Sequence, residues 1–317
     1  RVKNDNIPNA VEEAIDLLGG IETVAAGKEQ IMLKPNLVAE SPTFTTKPEV
    51  IQTLARLMQR SGKDVLIGEG SAAAGNFNVI GGETYHTSKP AILDEMQAFV
   101  YDRLGYTEMA RSLSVPLVNL HTGEMVDVPV PNGLVYDQLT LHHSLAGIDL
   151  LCSVPMMKTH TLATVTLGMK NLIGLYPGAV YHSVRSRVHE QCARAGSPGV
   201  AYEIVDMVRA NKLGLTVVDG SMAMEGNGPT GGEVVKMDVI IAGTNPVATD
   251  MVAASIMGFE TEEVPTFGVA HEAGLGPQHL NQIEIRGAPI SKVRRRLKRP
   301  EVVPWQSISQ SWGVNEL

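Results

Sequence analysis

Length, composition and charge narrow the class of protein. The chain has 317 residues, of which 44% are hydrophobic and 19% charged, and its net charge is -8. A chain of this length buries a substantial core, so we expect one large domain or two medium ones. The acidic balance argues against general nucleic-acid binding, whose affinity comes mainly from neutralising phosphates. No apolar run approaches the roughly 18 residues that suggest a membrane span.

The cysteines and the first residue bear on cofactors and location. Cys152 and Cys192 fit neither a disulfide framework nor a Cys-x-x-Cys metal or cluster site. His and Cys do not occur at zinc spacing, so we expect no structural zinc. The chain begins at Arg1 without a methionine. A cytoplasmic location is the first expectation, and export with a removed signal is the alternative.

The first third of the chain alternates helical and strand patterns. Apolar residues at helical spacing predict helices over 8–18 and 48–60. Apolar runs predict strands over 31–33 and 65–67. The order strand, helix, strand with short connections is typical of a right-handed βαβ unit with parallel strands. The glycine-rich stretch 71–89 is predicted to be a long surface loop.

The same alternation continues along the chain. The predicted elements are helix 91–106, a hairpin within 121–140, strand 150–154, helix 202–210, strand 215–218, strand 239–242, helix 246–257, helix 266–273 and strand 283–285. The predicted fold class is α/β, with a mostly parallel central sheet flanked by helices. We expect residues 1–317 to form one α/β unit. The alternative is two lobes, the smaller an α+β lobe formed by insertions around 121–140 and 175–235.

The C-terminal tail, residues 288–317, is basic and contains both tryptophans. Six of the eight residues from Lys292 to Arg299 are basic. A solvated helix face or tail is the ordinary interpretation of such a run, and phosphate or nucleic-acid contact is the alternative. With Trp305 and Trp312 nearby, this end could instead pack onto a neighbouring subunit of a homo-oligomer.

Polar side chains that could bind a ligand are concentrated in residues 149–174. The apolar run 150–154 predicts a buried strand, which Pro155 ends because proline has no backbone donor. Polar side chains follow directly, namely Lys158, Thr159, His160, Lys170 and Asn171. Open α/β sheets bind ligands just beyond the carboxyl ends of their strands. The sequence therefore predicts one wall of a ligand site here.

Other predicted strands also end in polar residues. These are Lys34, Asn36, Glu69, Asp219 and Glu225. Each residue alone has a structural explanation, such as a helix cap or a turn. Charged groups gathered at one edge of a sheet have a ready functional explanation, so we expect these side chains to share the site.

The residue types suggest roles within such a site. Three lysines, Lys34, Lys158 and Lys170, would supply positive charge for a carboxylate or phosphate. A partly desolvated lysine can also act as a base. His160 and His182 are the proton-transfer candidates, because the ordinary pKa of histidine lies near neutrality.

The acidic residues and the glycine loop leave alternatives open. Asp219 and Glu225 could coordinate Mg²⁺ or Ca²⁺, orient a histidine or act as a general base. Residues 226–231 match G-x-G-x-x-G, but Pro229 and Gly232 oppose the helix that a dinucleotide site requires. We interpret this loop as one that approaches a ligand closely or presents amides to an anion. No Gly-x-Ser-x-Gly or Walker motif is present.

Several of these motifs together resemble the family catalogued as domain of unknown function 362. The motifs are Met157–His160, Leu167–Gly174, Asp219-Gly220 with Ala223–Gly232, Lys34-Pro35-Asn36, Gly68–Gly70, Asn245–Ala248 with Asp250, and Gly274–Gly276. The resemblance runs from about Ile31 to Gly287. The family's polar motifs correspond here to Lys34, Asn36, Glu69, Lys158, His160, Lys170, Asn171, Asp219, Glu225, Asn227 and Asp250. Some members carry a ferredoxin-like cysteine segment that this chain lacks, so no iron-sulfur cluster is expected.

Three functional hypotheses follow. The first is an enzyme that acts on an anionic small molecule by acid/base chemistry, such as an isomerisation, epimerisation or lyase reaction. Its catalytic candidates are His160, His182, Lys158 and Glu225, and its substrate-binding candidates are Lys34, Asn36, Glu69, Lys170, Asn171 and Asn227. The second is a noncatalytic ligand or metal-binding module that serves a redox partner. The third is phosphoryl or nucleotide chemistry with Mg²⁺ or another divalent ion held by Asp219, Glu225 and Asp250.

Overall fold

The computed structural model describes residues 1–305 and 307. Its strands are β1 (Gln30–Pro35), β2 (Asp64–Glu69), β3 (Val79–Ile80), β4 (Glu83–Thr84), β5 (Leu117–Asn119), β6 (Met125–Pro129), β7 (Gln138–His142), β8 (Leu150–Val154), β9 (Met156–His160), β10 (Thr164–Thr166), β11 (Leu213–Glu225) and β12 (Glu233–Gly243). Eight of them form a central sheet in the order β10-β9-β11-β8-β1-β2-β5, with β12 paired to β11. The inner pairs are parallel, whereas β10 and β12 are antiparallel to their neighbours.

Helices cover both faces of this sheet, which confirms the predicted α/β class. They are α1 (Ile7–Asp16), α2 (Ile21–Val24), α3 (Pro48–Arg60), α4 (Pro90–Arg103), α5 (Tyr106–Leu113), α6 (Ser144–Gly147), α7 (Gly168–Asn171), α8 (Gly178–Tyr181), α9 (Ser186–Arg194), α10 (Ala201–Ala210), α11 (Pro246–Ile256) and α12 (Pro265–Glu272). Short 3-10 turns complete the regular structure, at Pro42–Phe44, Leu172–Leu175, Ser183–Arg185, Thr261–Glu263, Leu280–Gln282 and Ile290–Lys292.

The alternation of side chains along β1 explains why the sheet has two cores. Ile31 and Leu33 pack into the apolar cluster that includes the buried faces of α1, α3 and α4. Met32 points to the opposite face and joins the cluster that includes residues of α10, α11 and α12. Successive strand residues face opposite sides, so a fully buried strand needs apolar residues at every position. The predicted βαβ unit is confirmed, with α3 connecting the parallel pair β1 and β2.

The region after Pro155 forms a second strand, which the sequence analysis did not predict. Although β8 ends at Val154, β9 begins at Met156. It pairs with the second half of β11, where Met157 faces Ala223 and Lys158 faces Met224. Residues 158 and 160 are two apart on one strand, so their side chains share a face. The polar residues therefore project from the sheet itself.

Strand β11 is also longer than its apolar run predicted. It shifts register against β12 between Gly220 and Met222, and it continues to Glu225. The G-x-G-x-x-G stretch connects β11 to the antiparallel β12, and no helix follows it. A Cβ atom on Gly228 would lie 2.1 Å from the carbonyl oxygen of Thr159, so this glycine permits close packing on β9. The predicted strand 283–285 is wrong, since Ile283 follows a 3-10 turn in irregular structure.

The predicted hairpin forms as the antiparallel pair β6 and β7. The division of the chain into two lobes stays a prediction, although β11, within 175–235, is an inner strand of the central sheet. In the described part of the chain, no helix is long and apolar enough to cross a membrane.

The C-terminal basic run is held by intramolecular contacts. Arg294 pairs with Glu260 at 2.8 Å. Arg299 pairs with Glu263 at 2.8 Å and stacks 3.8 Å from the ring centroid of Phe259. Trp312 lies outside the described residues.

Candidate functional site

Seven of the residues predicted from the sequence line one cavity beside β1, β2 and β9. They are Lys34, Asn36, Glu69, Lys158, His160, Lys170 and Asn171. The cavity has a volume of ≈ 120 Å³. An engineered protein cavity of about 150 Å³ holds benzene, so a ligand here would have about six heavy atoms.

Lys34 is fully satisfied by its neighbours. Its ammonium donates to Glu69 Oε1 at 2.7 Å, to the carbonyl of Pro35 at 2.9 Å and to Asn171 Oδ1 at 3.1 Å. Both lysine and glutamate are buried, with side chains 1% and 2% exposed. An ammonium has three protons, and here each has an acceptor. Burial lowers the pKa of Lys34, while Glu69 opposes this shift.

Glu69 and Asn171 extend this pair into a network. Glu69 accepts from the amides of Leu37 at 2.8 Å and Gly70 at 2.9 Å. Asn171 Nδ2 donates to the carbonyl of Lys34 at 3.0 Å and to Ser153 Oγ at 3.1 Å. The network joins the ends of β1, β2 and β8 to α7, and it therefore fixes the cavity's shape.

Gly174 allows the ion pair to sit where it does. A Cβ atom at this position would lie 2.3 Å from Glu69 Oε1 and 2.6 Å from Lys34 Nζ. These distances are far inside van der Waals contact, so a side chain would displace the pair. The glycine is required by close approach, which the sequence motif alone could not reveal.

Lys158 contrasts with Lys34. It is completely buried, yet its ammonium donates only to the carbonyl of Phe44, at 2.8 Å. Within residues 1–305 and 307, no carboxylate lies within ion-pair distance of it. Burial, followed by the charge of Lys170, lowers the pKa of Lys158 to about 7. A substantial fraction of this amine is therefore neutral near pH 7.

Lys170 is the second unpaired cation. It lies on α7, whose first two amides, those of Gly168 and Met169, both donate to Asp250 at 2.8 Å. Asp250 thereby fixes the short helix that carries Lys170 and Asn171. Burial lowers the pKa of Lys170 to about 8, while Glu203 opposes the shift. Its ammonium makes no hydrogen bond or ion pair with the described residues.

His160 presents a donor to the cavity in its neutral form. Its Nδ1 accepts from the amide of Leu162 at 3.0 Å, so the ring proton of the neutral form belongs on Nε2. Burial, with Lys170 and Lys158 nearby, lowers the pKa of His160 well below its ordinary value. A neutral ring with its acceptor nitrogen already occupied is a hydrogen-bond donor, which differs from the proton-transfer role predicted from the sequence.

The segment before α9 supplies a buried arginine that sequence reasoning missed. His182, Val184 and Arg185 have φ angles of 63, 51 and 59 degrees, a strained region for residues other than glycine. The guanidinium of Arg185 donates to the carbonyls of Gly70 and Gly174 at the cavity wall. Burial lowers the pKa of Arg185 to about 10. No local sequence pattern marks this residue, because its partners are distant backbone carbonyls.

His189 and Glu203 were also missed. His189 lines the cavity from α9, and its Nδ1 lies 2.5 Å from Glu203 Oε1 on α10. The two side chains are 5% and 0% exposed. The Glu203 oxygens and His189 Nδ1 lack any partner in full hydrogen-bond geometry among the described residues. Only the fold brings these two residues together, so their spacing along the chain does not predict the contact.

Two predicted residues anchor the C-terminal tail outside the cavity. Glu225 Oε2 accepts from the amide of Lys298 at 3.0 Å. Asn227 Oδ1 accepts from the amide of Glu301 at 2.9 Å. Neither lines the cavity. Their contacts are structural, which gives no support to the catalytic role predicted for Glu225 or the binding role predicted for Asn227.

The remaining predicted residues are also outside the cavity. His182 stacks on His86 with ring centroids 4.9 Å apart. Asp219 accepts from Ser221 Oγ at 2.6 Å and from the amide of Lys47 at 3.1 Å. Burial raises the pKa of Asp219, and it raises the pKa of Asp250 to about 7.

The metal hypothesis requires Asp219, Glu225 and Asp250 to converge. Each carboxylate instead accepts from backbone amides in a different part of the fold. Among residues 1–305 and 307, no group of three or more His, Cys, Asp or Glu side chains is arranged to hold a metal ion. The geometry therefore gives no support to a shared divalent-ion site on these three residues.

A larger cavity of ≈ 400 Å³ lies between α1, β12 and residues 283–293. Its charged lining residues are Arg1, Glu13, Glu284 and Arg286. Arg286 pairs with Glu284 at 2.8 Å, so part of this charge is already neutralised. None of the residues predicted from the sequence to form the site lines it. Size alone therefore does not make it the better candidate.

Comparison with known proteins assigns the family. Residues 31–255 match the family described as Domain of unknown function (DUF362), and the chain belongs to it. The chain is 25% identical over 292 residues to a thylakoid-associated protein of Synechocystis sp., covering 91% of this chain and 82% of that protein.

Solved structures align more distantly. The lactate racemase apoprotein from Thermoanaerobacterium thermosaccharolyticum aligns at 15% identity with a TM-score of 0.47, covering 79% of this chain. A Thermotoga maritima protein aligns at 12% identity with a TM-score of 0.43, covering 85% of this chain. The chain spans only 55% and 59% of these two chains, respectively.

Proposed function

We propose that this member of the DUF362 family is an enzyme that holds a small carboxylate or phosphate at Lys158 and Lys170 and moves a proton next to the anionic group. The observation that carries the proposal is a pair of lysines at one cavity, Lys158 buried and Lys170 half-buried, with no carboxylate of the described residues bound to either. Burying an unpaired charge is costly, and an anionic ligand would offset this cost.

The size of the cavity supports a small ligand. A volume of ≈ 120 Å³ suits a carboxylate of a few carbons. Pockets for drug-sized ligands occupy about 300 to 1,000 Å³, and a nucleotide needs space of that order. The geometry therefore favours small-molecule acid/base chemistry over the nucleotide chemistry considered from the sequence.

The chemistry of the lining supports proton abstraction beside a carboxylate. Lys158, with a pKa of about 7, provides a neutral amine that can take a proton from carbon. The electron pair left behind would delocalise onto the carboxylate as an enolate. Lys170 and the Nε2 proton of His160 would stabilise the negative charge that develops there. Isomerisation, epimerisation and lyase reactions all begin with this step.

The proposal is tested by binding and by hydrogen exchange. Isothermal titration calorimetry at pH 7 would use 2-hydroxypropanoate, 2-aminopropanoate and inorganic phosphate. Proton NMR in D2O would follow loss of the α-proton from the two carboxylates. We expect the wild type to bind an anion and to exchange an α-proton, and we expect Lys158→Met to bind the anion more weakly and to lose the exchange that Lys158 initiates.

Lys89→Met is the matched control, because Lys89 is exposed and its ammonium makes no hydrogen bond or ion pair with the described residues. This variant should behave as the wild type. Equal anion binding by Lys158→Met and the wild type would overturn the assignment of the site.

A further inference from the structure

We propose that His189 is a second proton-transfer group of this site, positioned by Glu203, and that the enzyme inverts a carbon centre by moving protons on two faces. This inference rests on the proposed function and deepens it. It distinguishes a racemase or epimerase from a lyase, which needs no second group on the opposite face.

The contact between Glu203 and His189 defines the protonation of the ring. His189 Nδ1 and Glu203 Oε1 lie 2.5 Å apart, and two bare acceptor atoms at this separation repel each other. A carboxylate facing Nδ1 therefore places the ring proton on Nδ1. The other ring nitrogen, Nε2, is then free to take a proton, as in a carboxylate-histidine pair of a hydrolase.

Burial makes a purely structural role costly. Glu203 is 0% exposed, and neither of its side-chain oxygens has a partner in full hydrogen-bond geometry among residues 1–305 and 307. A buried carboxylate normally accepts several hydrogen bonds, because the lost hydration must be replaced. The arrangement is understandable if Glu203 serves to orient His189 and to stabilise the imidazolium that forms during a reaction.

Trp305 shields this pair from water. Its ring meets the His189 ring edge to face, with centroids 5.0 Å apart, and it is 7% exposed. The adjoining residues are held in place because the amide of Val303 donates to the carbonyl of Thr161 at 2.9 Å. A low-dielectric surrounding strengthens the interaction between Glu203 and His189.

The two proton-transfer groups reach the cavity from different elements. Lys158 projects from β9 in the sheet, whereas His189 projects from α9, which packs against α10. A group on each of two walls can address opposite faces of a bound carbon.

Inversion requires one proton transfer to His189 and one from Lys158. Neutral His189 takes the α-proton at Nε2, the C–H bond breaks, and its electron pair delocalises onto the carboxylate. The ammonium of Lys158 then donates a proton to the opposite face and forms the new C–H bond. The products are the inverted carboxylate, an imidazolium at His189 and a neutral amine at Lys158. The reverse reaction returns both groups to their starting states.

The test is hydrogen exchange started separately from each enantiomer of 2-hydroxypropanoate and 2-aminopropanoate in D2O. In the wild type, both enantiomers should exchange and interconvert. His189→Asn should lower exchange from one enantiomer by about 10²-fold or more, while exchange from the other continues through Lys158. Lys158→Met should show the opposite preference. Glu203→Gln should follow His189→Asn, because a merely structural defect would slow both enantiomers equally.

The outcomes separate the two proposals. If the wild type exchanges neither enantiomer of either compound, the proposed function itself fails. If the wild type exchanges both and His189→Asn leaves both rates unchanged, only the role of His189 fails. Equal slowing of both enantiomers in His189→Asn, with unchanged thermal stability, would also overturn the two-face scheme.

Discussion

Two kinds of lysine share one cavity. Lys34 donates its three protons to three acceptors and pairs with Glu69 at 2.7 Å. Lys158, equally buried, has one acceptor, and Lys170 makes no hydrogen bond with the described residues. The first lysine is therefore part of the architecture, whereas the other two cations have no carboxylate partner among the described residues, as the proposed anion site requires.

Removal of the lysine charge should change the free energy of unfolding in opposite directions in these two environments. Removing one partner of a buried pair leaves an uncompensated charge and destabilises the fold. Removing a buried charge that has no partner relieves a desolvation cost. Substitution of each lysine by methionine, which keeps the length of the side chain, therefore separates the two cases.

The largest effect is expected for Lys34→Met. This change leaves the carboxylate of Glu69 buried without its cation, so the free energy of unfolding should fall by about 3–5 kcal/mol. Urea denaturation followed by circular dichroism measures it. Lys236→Met is the matched control, because Lys236 pairs with Asp5 on the surface, where water screens the pair, and it should leave the free energy of unfolding almost unchanged. A loss below about 1 kcal/mol for Lys34→Met would contradict the architectural role.

Lys158→Met is expected to stabilise the folded protein. Without ligand at pH 7, the variant should be more stable than the wild type by about 1–3 kcal/mol, because a desolvated amine is replaced by an apolar chain. The same variant should bind anions more weakly than the wild type. A clear loss of stability would indicate that Lys158 belongs to the architecture as Lys34 does.

The pH dependence of the free energy of unfolding tests whether the pKa of Lys158 is lowered in the folded protein. The folded pKa of Lys158 is about 7, below its ordinary value of 10.5, so the unfolded chain binds more protons between these pH values. The free energy of unfolding should therefore rise with pH across this window, by up to about 1.4 kcal/mol per pH unit for one lysine. Lys170 adds to the slope above its pKa of about 8. Urea titrations from pH 6 to 10 should show a smaller slope in Lys158→Met, and equal slopes would refute the lowered pKa.

A smaller effect is expected at His160. His160→Phe removes the acceptor for the buried amide of Leu162 and should destabilise the protein by about 1–2 kcal/mol. His160→Asn, which retains a side-chain oxygen, should recover part of this loss. Thermal unfolding by calorimetry compares the two variants. If both are as stable as the wild type, the tautomer assigned to His160 is wrong.

The smallest effect is expected at Asn227, whose side-chain oxygen accepts from the amide of Glu301 at the surface. Asn227→Ala should change anion affinity less than twofold and stability by about 0.5–1 kcal/mol. Calorimetric titration with the anion that the wild type binds gives the affinity. A tenfold loss of affinity would restore the binding role predicted from the sequence.

Much of the fold and part of the site could be predicted from the sequence. Apolar runs and helical periodicity identified β1, α3 and β2, because local patterns reflect burial on one or both faces. Lys34, Glu69 and Lys158 line one cavity, and the sequence could group them because parallel strands end at one edge of the sheet.

The errors come from tertiary context. Lys158 and His160 were expected beyond the end of a strand, but pairing with β11 extends the sheet beyond Pro155. Glu225 and Asp250 carry the right chemistry for a site, yet both are used to hold backbone amides. Arg185 lines the cavity from a turn with positive φ angles, and His189 lines it from α9. No periodic pattern in the sequence predicts that these side chains reach the site.

The most direct test of the unpaired lysines is the number of protons taken up when an anion binds. Calorimetric titrations at pH 8, in buffers that differ in ionisation enthalpy, give this number. Lys158, with a pKa of about 7, is mostly neutral at this pH, and a bound anion would raise its pKa. We predict uptake of roughly one proton by the wild type and much less by Lys158→Met. Anion binding without proton uptake in the wild type would contradict the account.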